Sequence, residues 1–196
     1  MSWSRIPQRF ARLAKRILRK ALLMARFGML LIWHSIVGPP RILCFDEVTN
    51  AWLLRAFGAE VSRNNVRLHS PITLHNASSG FHNLKIGANS VLNGNNFLDL
   101  TKPVTLEEGV SLAPGVIVMT HNAFNDNPFL EDRLSRLVGS APVTIMAGAG
   151  IKANAVILHG TAIGRESLVA GGSIVARDVP ERAYVSGIPA RIRKTL

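Results

Sequence analysis

Residues 145–180 read I-M-A-G-A-G, I-K-A-N-A-V, I-L-H-G-T-A, I-G-R-E-S-L, V-A-G-G-S-I and V-A-R-D-V-P, blocks that each open on Ile or Val. An aliphatic period of six, with small or polar residues between, matches neither the 3.6-residue period of a helix nor a long two-residue alternation. It matches a solenoid, in which each coil stacks on its neighbours and side chains from successive coils build one continuous core. Six extended residues at ~3.3 Å each span roughly 20 Å, so three blocks make one triangular coil and residues about 18 apart are expected to stack. Gly, Asn and Asp within the blocks supply tight corners, since they tolerate positive φ.

Working outward, the same phase recurs at Leu68, Leu74, Gly80, Ile86, Leu92 and Leu98, then at Leu106, Leu112 and Val118 after a two-residue slip. Residues 121–142 abandon the period and read as an extruded loop, the kind of segment that carries function on a rigid scaffold. A chain of 196 residues that is 47% hydrophobic supports one full core plus an appendage. The expected organisation is a basic helical arm over 1–45, a linker or short helix over 46–60, and a β-helix over 61–196 with its loop and a C-terminal tail.

Charge marks off the arm. Of the net +11, nine units precede Asp46, as Arg5, Arg9, Arg12, Lys15, Arg16, Arg19, Lys20, Arg26 and Arg41, with no acidic residue among them. The arginines recur at steps of three and four beside an apolar stripe of Ile6, Phe10, Leu13, Ile17 and Met24, the pattern of an amphipathic helix. Basic on one side and apolar on the other suits an anionic membrane surface; packing against the protein or another subunit is the alternative. Residues 27–37 extend the apolar character, but Arg26, His34 and the short run argue against a spanning helix, which needs ~20 apolar residues. Nucleic acid is disfavoured, because no recognisable binding motif accompanies the charge. Nothing resembles a secretory cleavage site, and the expected location is cytoplasmic, peripheral on the inner face of the membrane. A single cysteine, Cys44, excludes an intrachain disulfide and reads as a small linker residue.

Residues 169–180, V-A-G-G-S-I-V-A-R-D-V-P, with S-G-I-P-A-R at 186–191 and M-T-H-N-A-F-N-D-N-P-F at 119–129, resemble hexapeptide-repeat acyltransferases. Within that superfamily the resemblance is to acetyl-CoA-dependent sugar O-acetyltransferases, including those that decorate capsule, exopolysaccharide and O-antigen glycans. It covers roughly residues 58–194 and is absent from the basic arm. It implies a left-handed parallel β-helix, although chain physics alone favours right-handed crossovers. It also implies a homotrimer with active sites between subunits, acetyl-CoA as donor, no metal, and a saccharide or lipid-linked glycan as acceptor.

His121 is the candidate catalytic residue, because attack of a hydroxyl on a thioester needs a base and imidazole suits neutral pH. It also stands where the solenoid stops, and the resemblance gives this T-H position the base role. His69, His75, His82 and His159 read as less favoured. The segment 90–99, S-V-L-N-G-N-N-F-L-D, resembles one that contacts the sugar, which makes Asn93 and Asp99 acceptor candidates, though both are also good turn residues. Asp126 is a third, able to orient His121 or touch the acceptor. By resemblance, donor contacts fall on Ala153, Gly171, Ala176, Arg177, Arg191 and Lys194, where small residues admit pantetheine and cations meet phosphates. Three other classes compete: an acyltransferase with an amino-sugar, serine or antibiotic acceptor, a non-catalytic membrane-bound scaffold, and a γ-class carbonic anhydrase. The last needs three metal-binding histidines, and His121 has no near partner in sequence.

Overall fold

The computed structural model describes residues 41–77, 80–122 and 139–196, together with Ala25, Phe27–Met29, Ile32 and Pro39. The chain divides into two units, Met1–Gly38 and Pro39–Leu196. In the first unit the described residues, Ala25, Phe27, Gly28, Met29 and Ile32, are helical; the arginine stripe lies outside the described residues. Among the described residues no helix is long and apolar enough to cross a membrane.

The second unit is a parallel β-helix with three faces. The first face holds β2 (Glu60–Val61), β5 (Leu84–Ile86), β8 (Val104–Leu106), β13 (Val143–Ile145) and β16 (Ala162–Ile163). The second holds β3 (Arg67–Leu68), β6 (Val91–Leu92), β9 (Ser111–Leu112), β14 (Gly150–Ile151), β17 (Leu168–Val169) and β19 (Ala183–Gly187), closed by the antiparallel β20 (Ala190–Thr195). The third holds β4 (Ile72–His75), β7 (Asn96–Asp99), β10 (Ile117–Val118), β15 (Val156–Ile157) and β18 (Ile174–Val175), with β1 (Ile42–Leu43) antiparallel at its edge. The inward residues form columns. Val61, Ile86, Leu106, Ile145, Ile163 and Val179 stack on the first face, and Leu74, Leu98, Val118, Ile157 and Val175 on the third, all buried. Each such aliphatic side chain contributes roughly 1.5–3 kcal/mol on burial.

Register follows the six-residue period only where the blocks are unbroken. Val156 pairs with Ile174 and Gly150 with Leu168, 18 residues on, as the triangular coil requires. Earlier coils are longer: Leu92 pairs with Leu112, Leu68 with Leu92, and Val118 with Ile157, spacings of 20, 24 and 39. The expectation that Gly80 occupies an inward position in phase with Leu74 is therefore corrected. Leu74 is followed on the first face by Leu84–Ile86, and Gly80 lies in the excursion between them. The surplus in all three long coils falls at one edge of the prism, where the third face turns into the first: 76–83, 100–103 and 119–142.

Corners and close approaches explain the polar residues of the blocks. Asn89, Asn95 and Asn154 sit at positive φ (57°, 62° and 58°), where Asn is tolerated. At Gly164 a Cβ would lie 2.4 Å from Glu181 N and 2.5 Å from Pro180 C, so backbone meets backbone and no side chain fits. A helix, α1 (Glu47–Ala56), covers the first coil. Asp46 caps it by accepting from Thr49 N at 3.1 Å, and Asn50 ties it down by donating from Nδ2 to Leu68 O and Ser70 Oγ.

Candidate active site

The edge that collects the three excursions also collects the chemistry. Asp99 ends β7 opposite His75 of β4. In the next coil the chain leaves β10 through Thr120 and enters β11 (His121–Asn122), which pairs antiparallel with β12 (Gly139–Ser140). The ends of the extruded segment are thus pinned beside each other; residues 123–138, Asp126 among them, lie outside the described residues.

Asp99 is fully buried, and its carboxylate is surrounded by donors. His121 Nδ1 lies 2.5 Å from Oδ2, Thr120 N donates to Oδ2 at 2.8 Å, and Thr101 Oγ1 donates to Oδ1 at 2.7 Å. Burial alone would raise its pKa, but the hydrogen bonds from His121, Thr101 and Thr120 more than offset this and hold the carboxyl well below the usual carboxylate range. An ionised carboxylate only accepts, so Nδ1 of His121 is the nitrogen that donates to it, and in the neutral imidazole Nε2 is the one left to accept a proton. His121 is about one-fifth exposed, which leaves the imidazole reachable while its orientation is fixed.

A second histidine joins them. His75 Nδ1 is 3.6 Å from Asp99 Oδ1, and its ring stacks on His121 (centroids 5.9 Å, interplanar angle 7°) and on Phe97 (5.6 Å). His121 therefore does have a near partner, supplied from two coils earlier, since His75 is in register with Asp99, 24 residues on. Asn76 Nδ2 completes the shell with a 2.6 Å bond to Thr101 Oγ1. The ligand atoms of His75, Asp99 and His121 lie within 4.8 Å of one another. A 2.5 Å Nδ1–Oδ2 separation nevertheless has both atoms bonded to each other, closer than two ligands held at ~2.0–2.1 Å around a tetrahedral zinc. The cluster is a hydrogen-bonded dyad with a stacked companion.

The other expected residues are placed differently. Asp99, expected as a sugar contact, is fully buried, and its carboxylate is bonded to His121, Thr101 and Thr120. Asn93 follows β6 on another edge and donates from Nδ2 to Leu112 O at 2.8 Å, bracing the next coil. Ala153 and Gly171 stack at the edge between the second and third faces, where Gly172 N donates to Ala153 O at 2.9 Å. Ala176 and Arg177 follow β18 on the edge of His121 and His159. Arg177 and Arg191 share a cleft of about 380 Å³ with Val175 and Ile192, and Lys194 Nζ sits 5.8 Å over the Tyr184 ring. The donor candidates of one chain are therefore split between two edges. Thr101, Thr120, Asn76 and the pairing of His75 were missed from sequence. Their signal was the break in period, which marks the same corner in each coil.

The six-residue blocks rise around an aliphatic core as a left-handed parallel β-helix, the fold of the hexapeptide-repeat acetyltransferases to which the chain is similar, with a buried dyad at the edge where coils are interrupted. No family model matches the sequence. The chain is similar to a hexapeptide-repeat acetyltransferase from Vibrio cholerae O1 biovar eltor, solved as a complex with acetyl-coenzyme A, with 27% identity and a TM-score of 0.65 over 78% of this chain and 79% of that one. It is also similar to YJL218W of Saccharomyces cerevisiae, provisionally named an acetyltransferase, at 34% identity over 110 residues, and spans about half (55%) of that protein's length. A stretch of 55 residues is 47% identical to the 2,3,4,5-tetrahydropyridine-2,6-dicarboxylate N-acetyltransferase of Staphylococcus aureus, covering 28% of this chain and 23% of that protein.

Proposed function

We propose that the protein transfers an acetyl group from acetyl-CoA to a hydroxyl of a saccharide, with His121 as general base. The observation that carries this reading is the Asp99–His121 dyad, which frees Nε2 as a proton acceptor beside a solvent-reachable edge. Nε2 takes the hydroxyl proton as the oxygen attacks the thioester carbonyl. The tetrahedral intermediate then collapses, the C–S bond breaks, and the leaving thiolate takes the proton back from the imidazolium. The products are an acetyl ester and CoA, and Asp99 stabilises the imidazolium between the two transfers without changing its own charge. The likeness to the Vibrio protein, which binds acetyl-CoA, supports the donor, and the likeness of residues 90–99 and 119–129 to sugar O-acetyltransferases supports the acceptor.

The split donor residues favour a homotrimer, in which Ala153 and Gly171 of one subunit would face Ala176 and Arg177 of the next across a shared groove, with Arg191 and Lys194 toward the nucleotide. The basic arm would hold this assembly on the inner face of the cytoplasmic membrane, near lipid-linked glycan intermediates for capsule, exopolysaccharide or lipopolysaccharide. The staphylococcal likeness favours a second reading, with an amine as acceptor. Incubation with labelled acetyl-CoA and a panel of free and lipid-linked saccharides tests both: label that alkaline hydroxylamine releases marks an ester, and resistant label marks an amide. Absence of His121-dependent transfer to any member would overturn the proposal.

A further inference from the structure

The reaction proposed above gives His75 no task. The residue closes β4, where Ile72 and Leu74 turn into the core and the alternation puts Thr73 and His75 on the outer side of the third face. Its partner in register is Asp99, and His121 follows one coil further on, after β10. Neighbouring coils lie ~4.8 Å apart, so the half-exposed His75 side chain reaches its fellow histidine past the coil that carries the carboxylate. The reach ends ring against ring.

Three aromatic rings meet there. His75 stacks on Phe97, its diagonal neighbour on the same outer surface (centroids 5.6 Å, interplanar angle 30°), and lies almost parallel to His121 (5.9 Å, 7°). Both separations suit offset-stacked aromatic pairs. His75 Nδ1 also approaches Asp99 Oδ1 at 3.6 Å, whereas His121 is bonded to Oδ2. An imidazole can do both, meeting a carboxylate with its edge and a second ring with its face.

The two contacts on His121 restrain different motions. The bond from Nδ1 to Asp99 fixes the place of that nitrogen, but within the range of χ1 and χ2 the ring can still turn about the N–H···O line and swing the Nε2 lone pair. A parallel ring against its face opposes that turn. Resting on the transferase reading above, we propose that His75 is a positioning residue for the base, a platform that holds the His121 imidazole in the plane from which Nε2 meets the attacking hydroxyl. Phe97 backs the platform. A base turned off that line loses rate while its nitrogen stays as basic as before, and locked neighbours prevent the turn.

The test uses the full-length protein, labelled acetyl-CoA and the saccharide panel. His75→Ala should lower kcat about three- to tenfold, the scale of one aromatic pair. The saccharide KM and the acetyl-CoA Kd should stay within about twofold, since the platform acts on the chemical step and not on binding. His75→Phe keeps a face and should recover most of the kcat; His75→Asn keeps a polar group toward Asp99 without a face and should not. In protein labelled at the histidine ring carbons, the ring current of residue 75 should move the His121 Cε1–H signal upfield in wild type and His75→Phe and release it in His75→Ala, a readout that needs no turnover. Wild-type kcat in His75→Ala, or recovery by Asn and not by Phe, would overturn the platform and leave the transferase reading standing. An equal fall of kcat and melting temperature in all three variants would mark a role in folding and would also overturn it. Absence of His121-dependent transfer by wild type would overturn the transferase reading and this role with it.

Discussion

In the proposed reaction His121 and Asp99 divide one task between an accessible base and a buried anion. His121→Ala should lower kcat about 10²–10⁴-fold while leaving acetyl-CoA affinity nearly unchanged, as measured by steady-state transfer and by calorimetric binding. Near-normal turnover would move the role to another group. Asp99→Asn replaces an acceptor-only anion with a neutral amide whose NH2 can face Nδ1 and favour the other tautomer, so kcat should fall about 10²-fold or more even in a folded variant, a loss on the scale of a general-base contribution. Asp99 also links stability to pH. Its folded pKa is depressed, so its stabilising contribution is complete above the unfolded value near ~4 and is lost as pH falls below it toward the folded pKa. The melting temperature of wild type should therefore drop below about pH 4 more steeply than that of Asp99→Asn. Parallel slopes would remove the linkage.

Among the elements, the uninterrupted coils are the most constrained. Gly164→Ala would force a Cβ into the backbone of Pro180 and Glu181 and should destabilise by about 1–3 kcal/mol, whereas Gly172, at φ +66° with nothing within 4 Å, should lose only about 1 kcal/mol on the same change. Chemical denaturation of the two variants separates close packing from backbone strain. The six-residue blocks of 145–180 were legible directly, because three faces of equal length leave an aliphatic at every sixth position. The first coil was legible only in part: Leu68 and Leu74 are true inward positions, but Gly80 keeps the phase by coincidence, because the chain departs the prism after His75. His121 was legible from its place at a break. His75 was not, because its approach depends on a register of 24 that only the lengthened coil creates. Asp99 was legible as a candidate, but its burial and its bond to His121 were not, since burial by a neighbouring coil leaves no mark in its own segment.

At the scale of the whole molecule, the expected behaviour is self-assembly and membrane attachment. Analytical ultracentrifugation should show a trimer, and a fully active monomer would contradict the shared groove. The full-length protein should sediment with anionic vesicles and release as salt rises, each cation near the surface adding ~1 kcal/mol. Removing residues 1–40 should abolish that binding without abolishing transfer to a short soluble acceptor. Equal binding by both forms would refute the membrane role, and loss of the trimer on truncation would show that the arm serves subunit packing.

All three lengthened coils place their surplus on one edge, and this bears on how the molecule comes apart. In a solenoid each coil is stabilised chiefly by its neighbours, so opening spreads from wherever adjoining coils match least well. The stretch from 143 to 175 repeats with constant spacing, whereas the coils carrying His75, Asp99 and His121 each close a longer excursion. Amide protons of the uniform coils should exchange last, and those around the dyad through earlier, partial opening. Mild denaturant would then silence the chemistry while the far end of the prism still keeps its strands.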